Sequence, residues 1–356
     1  MTQITTSAPG RICLYGEHQD YLELAVIPAA ITMRTTIKGS TNDSGEIIVN
    51  ALDLGTSDEF PVQEPVPYLS GPLDYFRAVV NVFHKKEFMD PNLGITCEVQ
   101  SQIPLKSGLS SSAAVLVAWA KFLAEALNLN LSDEDVGYYS YLAEHDEMGI
   151  PCGMMDQLSC AIGKIFHMVC TTPPQITRLN SKIPGIVIGN TLIPKSTNSV
   201  HGVRVREINE AIKEMQEYLT FELNTVDWEE IEPFLSNLPE THQKRLRATI
   251  KDRDITREAL KELQKPSQDV EYLGQLLNEH QMYLRDDFEV SHPKIEKMLD
   301  AGRAAGALGG KLTGAGMGGC IVMIAPGKQK EVAQALNDAG GEAYIVDIDD
   351  GVRRDD

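Results

Sequence analysis

The chain has 356 residues, of which 42% are hydrophobic and 23% charged, and its formal net charge is -19. That balance belongs to a soluble globular protein long enough for two packed domains, and so acidic a surface disfavours nucleic acid and anionic lipid as partners. No apolar run approaches the ~20 residues of a membrane span, no export signal opens the chain, and the six scattered cysteines form no Cys-x-x-Cys pair, so they read as reduced cytoplasmic thiols.

In chain order, the first hundred residues read as strands and turns, with apolar runs such as Ile12–Tyr15, Val26-Ile27 and Ile47–Val49 between Gly, Asn, Asp and Pro clusters. From Ser110 to about Leu127 the spacing predicts a helix whose apolar face carries Ala113, Leu116, Val117, Ala120, Leu123 and Ala124. Ser132-Asp133-Glu134-Asp135 predicts the capped start of a second helix reaching about Glu147. The Pro-containing stretch from Thr171 to Pro184 is the expected domain boundary, dividing residues 1–178 from 179–356. Beyond it, Val203 to about Leu219 reads as helix, Trp228 to Met282 as charged and helix-rich, and Pro293 opens another helix. A glycine-rich stretch from Gly306 to Gly319 precedes a strand at Cys320–Ile324, a helix at Lys328–Leu336 and a strand at Tyr344–Val346. The sum is an α+β protein.

Four segments carry chemistry. Pro104-Leu105-Lys106-Ser107-Gly108-Leu109-Ser110-Ser111-Ser112-Ala113-Ala114 runs directly into the first predicted helix. Its glycine permits close approach of backbone to ligand, and the helix start offers unpaired N–H groups and a positive dipole end, which together suit ATP phosphates. A bare serine run would as readily be a helix cap; the full string is far more specific. The second segment, Lys311-Leu312-Thr313-Gly314-Ala315-Gly316-Met317-Gly318-Gly319, is by itself equally a tight loop at a domain interface, and it lacks the Lys-Ser/Thr ending of a Walker loop. The third, Pro9-Gly10-Arg11 through Gly16-Glu17-His18-Gln19-Asp20-Tyr21, gathers hydrogen-bonding side chains of the kind a polyol needs, though such residues are often a solvated turn. Fourth, Glu144-His145 and Gly149 to Gln157 set a carboxylate, Asp156, among small and apolar residues, where a general base can sit as readily as a capping residue.

The combination and order of these segments resemble the three motifs of the GHMP kinases over nearly the whole chain. Cys152-Gly153-Met154-Met155-Asp156-Gln157 is similar to a Cys-Gly-Ile-Met-Asp-Gln stretch of galactokinases, and Leu284–Ser291 closely matches their Leu-Arg-Asp-Asp-Tyr-Glu-Val-Ser. The resemblance implies a two-domain GHMP kinase fold: an N-terminal α+β domain related to a ribosomal-protein fold, a C-terminal ferredoxin-like α+β domain, and an active site in the cleft between them. It implies ATP and Mg²⁺ as cofactors and a small-molecule sugar as partner. Residue by residue, it places Asp156 as catalytic base and Arg11 beside it. Lys106, Ser107, Gly108, Leu109, Ser110, Ser111, Ser112 and Ala113 fall on the phosphate loop, with Ser112 (or Ser111) and Glu144 as metal ligands. Glu17, His18, Asp20, Gly153, His201 and Gly316 fall on the sugar side.

Two departures bear on the sugar. Galactokinases follow Asp-Tyr with Asn-Gly-Gly, where this chain has Leu22-Glu23-Leu24, and their Tyr-Asn-x-Arg-Arg-x-Glu reads here His201-Gly202-Val203-Arg204-Val205-Arg206-Glu207. Gln19 replaces the Thr of Glu-His-Thr-Asp. Exchanging several sugar-facing groups at once shifts selectivity strongly. The expectation is therefore phosphorylation of a sugar hydroxyl, the anomeric 1-OH of galactose or a related aldose. A uronic acid, a heptose phosphate, a mevalonate-like alcohol or a non-catalytic sugar sensor are the alternatives.

Overall fold

The computed structural model describes residues 2–63, 65–194 and 197–356, the side chains of residues 197–201 excepted. Strand β1 (Gln3–Tyr15) and the long β2 (Ala25–Asn42) form an antiparallel pair, with register shifts at Pro9/Gly10 and Cys13/Tyr15. The hairpin of β3 (Glu46–Ala51) and β4 (Thr56–Pro61) is followed by helix α1 (Asp74–Lys85) and by β5 (Gly94–Ser101), which slots between β2 and β3. Helices α2 (Ser111–Ala126), α3 (Asp133–Leu142) and α4 (Met155–Ile162) come next, then the hairpin of β6 (Ile165–Val169) and β7 (Gln175–Leu179).

Strand β8 (Ile186–Asn190) opens a second unit, with helices α5 (Thr197–Met215), α6 (Trp228–Ile231), α7 (Glu240–Leu263), α8 (Val270–Asp286) and α9 (Pro293–Ala304). Strands β9 (Gly309–Thr313) and β10 (Cys320–Ile324), helix α10 (Gln329–Asp338) and strand β11 (Glu342–Val346) complete a four-stranded sheet of order β11-β8-β10-β9. A short final strand, β12 (Arg353–Arg354), returns to the first sheet. That sheet has eight strands, with β12-β1-β2-β5-β3-β4 in line, β6 paired to β2 and β7 to β6. Both sheets are antiparallel except where β3 runs parallel to β5. Mixed sheets and helices in two units agree with the α+β expectation.

Local chemistry accounts for most boundaries. Ser132 and Asp135 close a capping box on α3, which continues through a wide π turn (Ala143–Glu147) to the predicted end. Helix α5 begins earlier than expected, at Thr197. Helix α1 is the larger difference, because the sequence reading has only strands and turns in that region. Its Val79, Val80, Val82 and Phe83 favour strands in isolation. One face of the helix nevertheless packs Phe76 beside Trp119, whose indole donates to the Phe76 carbonyl (3.1 Å), and burial of that face overrides propensity.

The returning tail is fastened by Arg34 of β2. Its guanidinium donates to Ser7 Oγ (2.8 Å), Ser7 O (2.9 Å), Asp349 Oδ2 (2.7 Å) and Gly351 O (2.9 Å). Gly351 lies against the end of α4, where any side chain would meet Ala161 O at 2.0 Å. Arg34→Met should strand these acceptors and cost about 3 kcal/mol. A urea midpoint equal to that of the parent protein would show that the tail carries no such weight.

Candidate active site

Arg11 sits in β1 between the two register shifts and is 3% exposed. Its backbone N–H donates to Leu109 O (3.1 Å) and its Nη1 to Gly108 O (2.5 Å). The other edge of the guanidinium holds Asp156 Oδ1, through Nε (2.8 Å) and Nη2 (2.7 Å). Burial works against the Arg11 charge, but the carboxylates of Asp156 and Glu17 outweigh it and raise its pKa above the ordinary arginine value. Asp156 lies in the first turn of α4, its side chain 33% exposed. One buried cation therefore joins the phosphate loop to a carboxylate that still reaches solvent.

The loop itself leads into α2. Leu109 is buried as its anchor, Ser107 Oγ donates to Pro104 O (2.7 Å), and Lys106 is exposed. Ser110 is the N-cap in the left-handed region (φ 61) and makes no capping bond with its side chain. Its Oγ is buried with no hydrogen-bond partner among the described residues. An orphaned hydroxyl beside the free amides of Ser111, Ser112 and Ala113 fits an anionic ligand such as a nucleotide phosphate. The loop's shape is held from behind by the glycine-rich turn after β9. A side chain at Gly108 would meet Thr313 O at 2.8 Å, and one at Gly319 would meet Ser107 O at 2.7 Å. Both residues also take positive φ, 89° and 72°, so glycine is required twice over. Gly316 packs against Val290 O in the same turn.

Glu144 comes from the π turn and is 7% exposed, and it accepts a 2.6 Å hydrogen bond from Gln157 Nε2. Tyr75 of α1 lies within electrostatic reach of the Glu144 carboxylate. Burial first, then the Glu144 charge, push the Tyr75 phenol up to about 12. Among the described residues, no cluster of three or more His, Cys, Asp or Glu side chains is arranged to hold a metal alone.

On the other side of Asp156, the turn after β1 carries Glu17, His18 and Asp20. His18 takes a left-handed conformation (φ 61), stacks on Phe288 at 5.3 Å and meets the Tyr21 hydroxyl through Nδ1 at 3.2 Å. Asp20 lies against Gly153, where a side chain would collide with its Oδ2 at 2.4 Å. Glu17 is buried and paired with Lys311 Nζ at 2.8 Å, the lysine itself being wholly buried. Nearby, Asp252 of α7 and His280 of α8 approach to 3.4 Å, both fully buried. Burial drives the Asp252 carboxyl well above the usual carboxylate range and the His280 ring well below its own.

The structure thus brings together Arg11, Asp156, Glu144, the loop from Lys106 to Ala113, Asp20, Gly153 and His18, with Gly316 in the supporting turn. His201 falls in the first turns of α5, and its side chain lies outside the described residues. Sequence reasoning assigned no role to Tyr75, Gln157, Lys311, Asp252 or His280. Gln157 and Lys311 stand inside segments it had singled out. Asp252 and His280 had no local signal, because they meet only when α7 packs on α8.

Asp20 titrates unusually. Burial, then the negative charges of Asp156 and Glu17, raise its carboxyl from 3.8 to about 6. The folded protein binds this proton more tightly than the unfolded chain does. The stabilisation from protonation is therefore complete below about pH 4 and lost as pH rises through 6, where ionised Asp20 costs up to about 3 kcal/mol. Asp20→Asn should raise Tm at pH 7.5, with the gain shrinking toward zero near pH 4. Thermal unfolding at the two pH values checks this; a gain independent of pH would refute the shifted carboxyl.

Family profiles cover most of the elements described. The profile for the GHMP kinases N terminal domain matches residues 74–164, that for GHMP kinases C terminal matches 256–342, and a galactokinase galactose-binding signature matches 2–41. A galactokinase of Haemophilus influenzae is 31% identical over 336 residues, spanning 92% of this chain and 86% of that protein. A mevalonate kinase of Pyrococcus abyssi is 31% identical over 353 residues, spanning 97% and 95%. The crystal structure of Lactococcus lactis galactokinase complexed with galactose superposes with a TM-score of 0.86 at 27% identity, over 99% of this chain and 95% of that one. With the phosphate loop, the Arg11–Asp156 pair and the glycine turn in the same fold, the chain belongs to the GHMP kinase family.

Proposed function

We propose that the protein transfers the γ-phosphoryl group of ATP to a sugar hydroxyl, the anomeric 1-OH of galactose or a related aldose, with Asp156 as the base. The observation that carries this reading is the position of Arg11, which binds Asp156 and the backbone of the phosphate loop at once. A hydroxyl lying against the open side of Asp156 is thereby held at a fixed offset from a nucleotide on the loop. Phosphoryl transfer asks for that positioning more than for covalent help.

The residues divide the labour. The amides of Ser111, Ser112 and Ala113 and the Ser110 hydroxyl hold phosphate oxygens. Asp156 accepts or orients the proton of the attacking hydroxyl, and Arg11 keeps that carboxylate ionised. Asp20 and His18 line the polyol side, and Glu17 is a further buried acceptor at the base of the same turn. Glu144 and Ser112 are the residues to hold Mg²⁺, and because the chain supplies so few ligands the ion is held jointly with the nucleotide. Bound Mg²⁺ supplies neutralisation of charge on the β- and γ-phosphates. A net charge of -19 is compatible with this nucleotide site because each positive device in it is local. A cytoplasmic setting suits a protein with six free cysteines and, among the described residues, no helix long and apolar enough to cross a membrane.

Two experiments test the reading. Asp156→Asn should lower turnover by about 10²–10⁴-fold while ATP binding and Tm stay near those of the parent; near-normal turnover removes Asp156 as the base. Coupled detection of ADP release, with Mg-ATP and a panel of aldoses, uronic acids, sugar phosphates and mevalonate, names the acceptor. Turnover on mevalonate alone would place the chain with the mevalonate kinases. Silence across the panel, with saturable sugar binding by calorimetry, would make it a sensor.

A further inference from the structure

Asp156 and Gln157 are neighbours in the first turn of α4, but they serve opposite sides of the site. Asp156 turns toward Arg11 and the polyol turn, whereas Gln157 turns toward Glu144. Gln157 is 1% exposed, and its Nε2 lies 2.6 Å from Glu144 Oε2. The orientation of this amide is set by chemistry: an ionised carboxylate only accepts, so the NH₂ must face it. Gln157 Oε1, on the same amide carbon, is buried and without a hydrogen-bond partner among the described residues. A buried amide oxygen with no partner costs about 1–3 kcal/mol. A residue kept there at that cost needs a reason beyond filling space.

The Glu144 backbone supplies one. Glu144 lies in a π turn, a wide and weakly held stretch of helix common at functional sites. Its carboxylate is held by a side chain from another element, the Gln157 amide of α4. We propose that Gln157 is a positioning residue for the metal site, orienting the Glu144 carboxylate through Nε2 and offering Oε1 to a water of the metal's hydration shell. Because residues 156 and 157 are consecutive in one helical turn, the same backbone fixes both the base and the metal ligand. A shift of α4 moves both together, so the acceptor hydroxyl and the nucleotide keep their spacing. This inference rests on the reading of Glu144 as a metal ligand given above.

The test is the affinity of the enzyme–ADP complex for Mn²⁺, followed by electron paramagnetic resonance, beside the half-saturating Mg²⁺ concentration and the sugar KM in turnover. Gln157→Met keeps the bulk and removes both polar atoms. It should weaken Mn²⁺ binding by about tenfold and raise half-saturating Mg²⁺ to match, with sugar KM changed by less than about twofold. If that variant does not fold, Gln157→Asn keeps the amide but withdraws it by one methylene, and the same weakening is expected. Mn²⁺ affinity unchanged in the folded variant, whatever happens to kcat, overturns the proposal and leaves Gln157 as packing. Glu144→Gln separates the two levels of the argument. If it leaves Mn²⁺ affinity intact, the metal-ligand reading itself falls; if it weakens binding while Gln157→Met does not, only the positioning role falls.

Discussion

The site depends on one guanidinium. Arg11 touches both the loop before α2 and the Asp156 carboxylate, and it does so with a planar, rigid fork of donors. A lysine there would offer a single rotatable point of attachment and could not fix two partners on opposite edges. Arg11 lies in β1 between two register shifts, at Pro9/Gly10 and Cys13/Tyr15, where the ladder is irregular. The loop, α4 and β1 are thus joined by a charge that is buried and paired. Buried charges are costly unless paired in this way.

A second set of buried polar groups joins the two sheets. Lys311 comes from β9 of the small sheet and Glu17 from the turn after β1 of the large one, and they meet out of water at 2.8 Å. Close by, Gln19 donates to Thr249 O (3.0 Å) and Cys13 N donates to Thr313 Oγ1 (3.0 Å). Removing one member of the Lys311–Glu17 pair would leave a buried charge without its partner, the most expensive kind of polar defect. Such contacts favour one relative placement of the units over many compact alternatives. They also explain how the turn after β1 takes its shape. His18 and Asp20 project from a loop whose neighbouring residues, Glu17 and Gln19, are fastened to the second unit.

Much of this was legible in the sequence, for reasons that differ by element. The boundaries of α2 and α3 follow from apolar periodicity and from Ser132 with Asp135, which act over a few residues and do not need the rest of the fold. The phosphate loop and the glycine turn were legible because backbone chemistry restricts them to few residue types. Helix α1 was not, since its valines and phenylalanine prefer strands until α2 covers them. Nor was the Asp252–His280 contact, which joins residues that are unremarkable on their own helices. Gln157 shows an intermediate case. It stood in a motif already noticed, but its role depends on where Glu144 comes to rest, and only the packing of a π turn against α4 decides that.

The interlock of Gly108 and Gly319 with their opposite backbones has a consequence for how such proteins diversify. At these points the chain touches itself through main-chain atoms, so no single substitution adjusts the phosphate-gripping surface by a small step; each replacement collides. The turn after β1 instead presents side chains, His18 and Asp20 among them, and a side chain can be exchanged without moving the main chain. Change can therefore accumulate in the side chains of the turn after β1 while being nearly forbidden where the two backbones meet.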